Sequence, residues 1–146
     1  MRTVKNIVVA KPEMYNIVSP GTTVFNALNM LNSVNLSYLV VMDGDHYKGI
    51  FCERDYSRKV ILRGRASNDT LVSEVMTTDV PMVTLQTTVE ECMKTMNTFK
   101  TRYLLAFDNE TLKGVITIHD LLRQVIENKE QVFDSSLARL LELDDE

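Results

Sequence analysis

The chain has 146 residues, 45% apolar and 25% charged, an ordinary globular balance sufficient for one domain or two small ones sharing a core. A formal net charge of −4 argues against a general nucleic-acid-binding face, and no apolar run approaches the roughly 20 residues that span a bilayer. Cys52 and Cys92 stand far apart, and neither they nor His46 and His119 form a ligand-like cluster, so no metal is expected and a reducing, cytoplasmic setting is the default.

Residues 2–10 read as either a short helix or a strand, and Val4, Ile7 and Val8 at helical spacing favour a helix with one apolar face; Lys11-Pro12-Glu13 follows too soon for a signal peptide. Ile17-Val18 reads as a short strand stopped by Ser19-Pro20-Gly21. Thr22 or Thr23 then caps a helix whose Val24, Ala27, Leu28 and Leu31 recur at i, i+3, i+4 and i+7. Residues 37–42 are a nearly continuous apolar strand, expected to be covered on both faces. Asp43-Gly44-Asp45 is a hairpin signal, residues 47–51 return, and a helix runs from Glu53 or Arg54 to about Leu62, closed by Arg63-Gly64-Arg65. Residues 66–70 are a polar linker and residues 71–76 a short helix or turn.

The pattern then recurs. Met82-Val83-Thr84 is the short strand, and Thr87-Thr88 caps a helix carrying Val89, Cys92, Met93 and Met96. Residues 102–107 are the apolar strand, Asp108-Asn109-Glu110 the turn, residues 112–117 the returning strand, and a helix begins at His119. Residues 17–61 align with 82–126 without a gap: Val18, Thr22, Thr23, Val24, Asn32, Tyr38, Leu39, Asp43, Lys48, Gly49, Asp55, Arg58, Val60 and Ile61 all reappear 65 positions later. One copy is too small to close a core comfortably, so two copies packed about a pseudo-two-fold axis are expected. A further helix is expected from about Ser135 to Leu143, before an acidic end.

Within each repeat one stretch invites chemistry. In Gly114-Val115-Ile116-Thr117-Ile118-His119-Asp120, Thr117 and Asp120 stand three apart at a strand-to-helix turn. That spacing makes a helix cap, and it also gathers free N–H groups and two small polar side chains where a phosphate or ribose could sit. Its twin is Gly49-Ile50-Phe51-Cys52-Glu53-Arg54-Asp55.

A strand–helix–strand–strand–helix unit, repeated after 65 residues and ending in Gly-apolar-x-Ser/Thr-x-x-Asp, resembles the cystathionine-β-synthase (CBS) domain. Two in tandem are called a Bateman module. The likeness covers about residues 2–130, and Glu53-Arg54-Asp55-Tyr56 with Arg58-Lys59-Val60 looks like the stand-alone, two-domain bacterial members. The resemblance implies a mixed α/β (α+β) fold of two such motifs, with boundaries at 17–65 and 82–130. Around them lie an N-terminal helix and connector (1–16), a linker (66–81) and a C-terminal helix with an acidic tail (131–146). It also implies adenosine nucleotides (AMP, ADP, ATP or NAD(H), AMP favoured) as regulatory ligands in clefts between the copies, a homodimer, and no catalytic cofactor.

Carried over by resemblance, Asp120 would accept the ribose hydroxyls and Thr117 would hold phosphate. His119 is either a phosphate contact when protonated or a solvent-facing helix residue. In the first copy Asp55 matches but Cys52 replaces the hydroxyl with a weak donor. Arg54 and Arg58 either compensate by binding phosphate or pair with Glu53 and Asp55 on a wet surface. Pro81 and Met82 are candidates for the adenine, and Tyr38 and Tyr103 for stacking or for ordinary core.

Three functions follow. A nucleotide-sensing regulatory module, acting through an effector protein or as a free sensor without nucleic acid or membrane, fits best. A structural dimerisation module with degenerate, non-binding clefts is the alternative. An enzyme is disfavoured, since no nucleophile–base pair or paired carboxylates form a motif.

Overall fold

The computed structural model describes residues 2–11, 16–34 and 36–128, so the helix expected near residues 135–143 lies outside the described part. The chain divides into two compact units, Met14–Asp79 and Met1–Glu13 with Val80–Glu146.

The first-repeat unit, Met14–Asp79, holds β1 (Ile17–Val18), α2 (Val24–Val34), β2 (Tyr38–Asp43), β3 (His46–Cys52), α3 (Glu53–Lys59) and α4 (Val72–Val75). Its sheet has the order β1-β2-β3, with β1 parallel and β3 antiparallel to β2. β2 is buried from Tyr38 to Val41, as its unbroken apolar run requires. The hairpin turns at Gly44, whose φ of 62° suits a residue without Cβ. Val24, Ala27 and Leu31 of α2, Leu39, Val41 and Phe51 of the sheet, and Val72 and Val75 of α4 share one core.

The helix after β3 stops earlier than the expected Leu62. α3 ends at Lys59, and a 3₁₀ turn covers Ile61–Arg63. The break falls at Val60, which is fully buried in this core and whose backbone (φ −116°, ψ −74°) is pulled away from ideal helical angles while its N–H still bonds Tyr56 O.

The second-repeat unit holds α1 (Val4–Ala10), β4 (Met82–Thr84), α5 (Val89–Phe99), β5 (Tyr103–Asp108), β6 (Thr111–Thr117) and α6 (Ile118–Asn128). Its sheet repeats the first, with order β4-β5-β6 and the same mixed pairing. Even the irregularity recurs: the register shifts between Val41 and Met42 in β2 and between Ala106 and Phe107 in β5. Here Asn109 takes the left-handed turn position, at φ 57°. Thr88 and Glu91 close a reciprocal capping box on α5.

α1 belongs to this unit. Val4 and Ile7 lie in its core with Val89, Met93, Met96, Ile116 and Leu121. The backbone explains the docking: Val4 N–H donates to Thr87 O (2.8 Å) and Val89 N–H to Arg2 O (3.1 Å). In the first-repeat unit α4 takes the matching place, with Val72 N–H donating to Thr22 O and Val24 N–H to Thr70 O, both at 2.8 Å. Each repeat is therefore completed by a short helix that precedes it or follows it in sequence.

Candidate functional site

The mixed sheet gathers the candidate residues at one end of each unit. In the second-repeat unit β5 starts where β6 ends, since Tyr103 is the register partner of Thr117. β4 runs parallel to β5, and Pro81 O accepts from Leu105 N–H at 2.9 Å, so Pro81, Met82, Tyr103 and Thr117 lie toward the same end, where α6 begins. Met82 is 69% exposed, Pro81 and Tyr103 are half-buried, and His119 is exposed on the first turn of α6. In the first-repeat unit Tyr38 is the register partner of Cys52, and it is buried as a core residue.

The cap at Thr117 is reciprocal. Asp120 N–H donates to Thr117 Oγ1 (3.2 Å), and Thr117 N–H donates to Asp120 Oδ2 (2.8 Å). The Thr117 hydroxyl acts here as an acceptor, which leaves its proton available to a ligand oxygen. Asp120 is only 2% exposed and two cations reach it: Lys11 Nζ at 2.9 Å from Oδ2 and Arg123 at 2.7 Å from Oδ1. Lys11 is anchored further by a 2.8 Å bond to Val115 O. One buried carboxylate with two cations leaves a local excess of positive charge at a helix N-terminus, a setting suited to an anion.

The first copy is wired differently. Cys52 N–H still donates to Asp55 Oδ2 (2.9 Å), but the thiol also turns its proton on that oxygen, at 3.4 Å. Burial, then the adjacent Asp55 charge, pushes the Cys52 thiol up, so it stays protonated near neutral pH. Asp55 Oδ1 accepts from Thr77 Oγ1 (2.7 Å) and Lys59 Nζ (2.9 Å). Lys59 also bonds Val75 O (3.0 Å) and Thr77 Oγ1 (3.4 Å). Asp55 is thus buried with its acceptor positions filled by its own unit.

The cation at Asp55 is Lys59; Arg58, for which pairing with the neighbouring carboxylates is one of two sequence readings, is exposed, and Arg54 is half-buried. Helical spacing admits both i+3 and i+4 partners, and the second copy uses the other choice, since Arg123 is the repeat counterpart of Arg58. Lys11, Lys59, Thr77 and Arg123 were not among the sequence-derived candidates. Arg123 had a signal, as the repeat partner of Arg58, and Lys59 stands one turn from Asp55. Lys11 had none, because it lies 109 residues from its carboxylate.

The family model "CBS domain" matches residues 4–61 and 72–127, so this chain belongs to the CBS-domain family and carries two such domains in tandem. A putative signal-transduction protein with CBS domains from Burkholderia ambifaria MC40-6 superposes with a TM-score of 0.80 at 35% identity, covering 90% of this chain and 99% of that one. The Arabidopsis thaliana protein "CBS domain-containing protein CBSX3, mitochondrial" is 31% identical over 116 residues, 75% of this chain. The match spans about half of that relative's length (56%). The structure of CBSX2 in complex with AMP shares the fold, with a TM-score of 0.71 at 23% identity, covering 89% of this chain and all of that one.

Proposed function

We propose that this chain is a regulatory module that binds an adenosine nucleotide, AMP favoured, at the second repeat. The observation that carries this reading is the Thr117 hydroxyl beside a buried Asp120 flanked by Lys11 and Arg123. The carboxylate is the acceptor for ribose hydroxyls. The Thr117 hydroxyl, the α6 N-terminus and the surplus cation take the phosphate. His119 stands next to them on the first turn, and Pro81, Met82 and Tyr103, toward the same end of the sheet, are the candidates for the adenine. A protein of the same fold, CBSX2, has been crystallised with AMP, which supports the ligand class. Binding would regulate through a homodimer mate or a separate effector, shifting an equilibrium only as far as the ligand distinguishes its two states.

For the first repeat a specific observation favours the structural reading. Asp55 is saturated by Cys52, Thr77 and Lys59, so Asp55, Cys52, Arg54, Arg58 and Tyr38 are proposed as scaffold in that copy, giving one nucleotide per chain.

Titration calorimetry with AMP, ATP, NAD and NADH tests this. We expect saturable binding near one site per chain, weakened roughly tenfold or more by Asp120→Ala, as expected for loss of a charged hydrogen-bond acceptor. Asp55→Asn should retain it. Absence of saturable binding by all four nucleotides rejects the proposal.

A further inference from the structure

The two buried carboxylates receive their lysine from different places. Asp55 takes Lys59 from its own helix, one turn on. In α6 the position matching Lys59 is Gln124, and Asp120 takes its ammonium from Lys11, the residue that caps α1. Gln124 is 6% exposed, and its Oε1 has no hydrogen-bond partner among the described residues.

The placement of Lys11 limits what Asp120 can accept. Oδ2 already receives Thr117 N–H and Lys11 Nζ, which fills its roughly two lone-pair directions. Oδ1 receives Arg123, whose side chain is 62% exposed and can withdraw into water. A cis-diol that donates one hydroxyl to each oxygen needs a position on Oδ2 as well as on Oδ1 of a carboxylate that is 2% exposed. Lys11 is the more firmly held of the two cations, through its second bond to Val115 O and its 28% exposed side chain.

We propose that Lys11 is an internal competitor for the Asp120 carboxylate: its ammonium holds the Oδ2 position and must be exchanged before a cis-diol engages both carboxylate oxygens. This rests on the nucleotide reading above. Lys11 is then a specificity-determining residue. A phosphorylated ligand offers the displaced ammonium a new anionic partner, whereas a nucleoside offers none and bears the whole cost of the exchange. The latch therefore selects nucleotides over nucleosides. In the first copy the lysine comes from the same helix as its carboxylate and is tied to both Val75 O and Thr77 Oγ1.

Calorimetry with adenosine and with AMP tests it on the full chain. Lys11→Met keeps the apolar stem and removes the competing charge. It should bind adenosine roughly tenfold more tightly than the wild type, with a smaller change for AMP, so the preference for AMP narrows. Gln124→Lys, which leaves Lys11 in place, adds a second ammonium one turn from Asp120 and should weaken adenosine binding. This variant decides the matter if Lys11→Met does not fold. Adenosine affinity unchanged or reduced in Lys11→Met, or unchanged or increased in Gln124→Lys, overturns the latch while AMP binding by the wild type keeps the nucleotide reading. If wild type and variants bind neither ligand, both fall.

Discussion

Asp55 and Asp120 occupy the same place in the two repeats, yet different side chains neutralise them: Thr77 and Lys59 at Asp55, Lys11 and Arg123 at Asp120. The energetic meaning is concrete. Thr77 Oγ1 donates to Asp55 over 2.7 Å, a hydrogen bond to a buried charge. Thr77→Val should destabilise the protein by about 1.5–3 kcal/mol, measured by urea unfolding. A change below about 0.5 kcal/mol would mean that Lys59 and the Cys52 N–H satisfy the carboxylate by themselves. At this scale the sequence was partly legible. Thr117, Asp120 and Asp55 stood out because a three-residue spacing at a helix start is a local signal. Cys52 stood out by comparison with its twin. What could not be read was how the carboxylates are neutralised. Arg58 and Lys59 are equally good helical neighbours of Asp55, and the structure pairs it with Lys59. Lys11 and Thr77 reach their carboxylates only through tertiary packing.

At the scale of the elements, the two repeats diverge where their outer helices dock. Gly49 and Gly114 are equivalent residues on β3 and β6, but a Cβ at Gly49 would lie 2.8 Å from Met76 Sδ and 2.9 Å from Thr77 O. At Gly114 the nearest atom would be Val8 Cγ2, at 3.8 Å, ordinary van der Waals contact. The close approach at Gly49 serves the backbone pair in which Ile50 and Thr77 exchange hydrogen bonds of 2.9 and 2.8 Å. Gly49→Ala should therefore cost about 1–3 kcal/mol, since the backbone of Thr77 must move, while Gly114→Ala stays within about 0.5 kcal/mol of the wild type. Paired thermal melts of the two variants check this; equal losses would refute the asymmetry. Sequence identity at these glycines hid the difference. The strands, hairpins and main helices were legible from periodicity and turn residues. The docking of α1 was not, because nothing in Val4, Ile7 and Val8 says which core receives them.

For the molecule as a whole, the buried acids with raised pKa values set an alkaline limit. Burial, with Glu91 adding to it, pushes Cys92 from an ordinary 9.0 up to about 12. Burial, helped by the Asp79 charge, moves Tyr47 from 10.0 to about 12. Both groups hold their protons in the folded state at pH values where the unfolded chain has begun to lose them. The unfolded state then binds fewer protons, so stability falls as pH rises from about 9 toward 12 and is insensitive to these groups below that. Cys92→Ala should flatten this fall relative to its own value at pH 8, in denaturant titrations between pH 8 and 11. An unchanged slope would show that Cys92 does not titrate as described.

The pairing of α1 with the second repeat also has a consequence in time. All the elements of the first-repeat unit lie within residues 14–79, whereas α1 needs β6, complete only at Thr117. On a ribosome adding about 5–20 residues per second, Val4 and Ile7 wait on the order of 5–20 seconds for their core. A seven-residue helix does not persist alone in water over that interval. Of the described elements, the one synthesised first is among the last to fold, and until it docks, the carboxylate at Asp120 has no lysine to hold it.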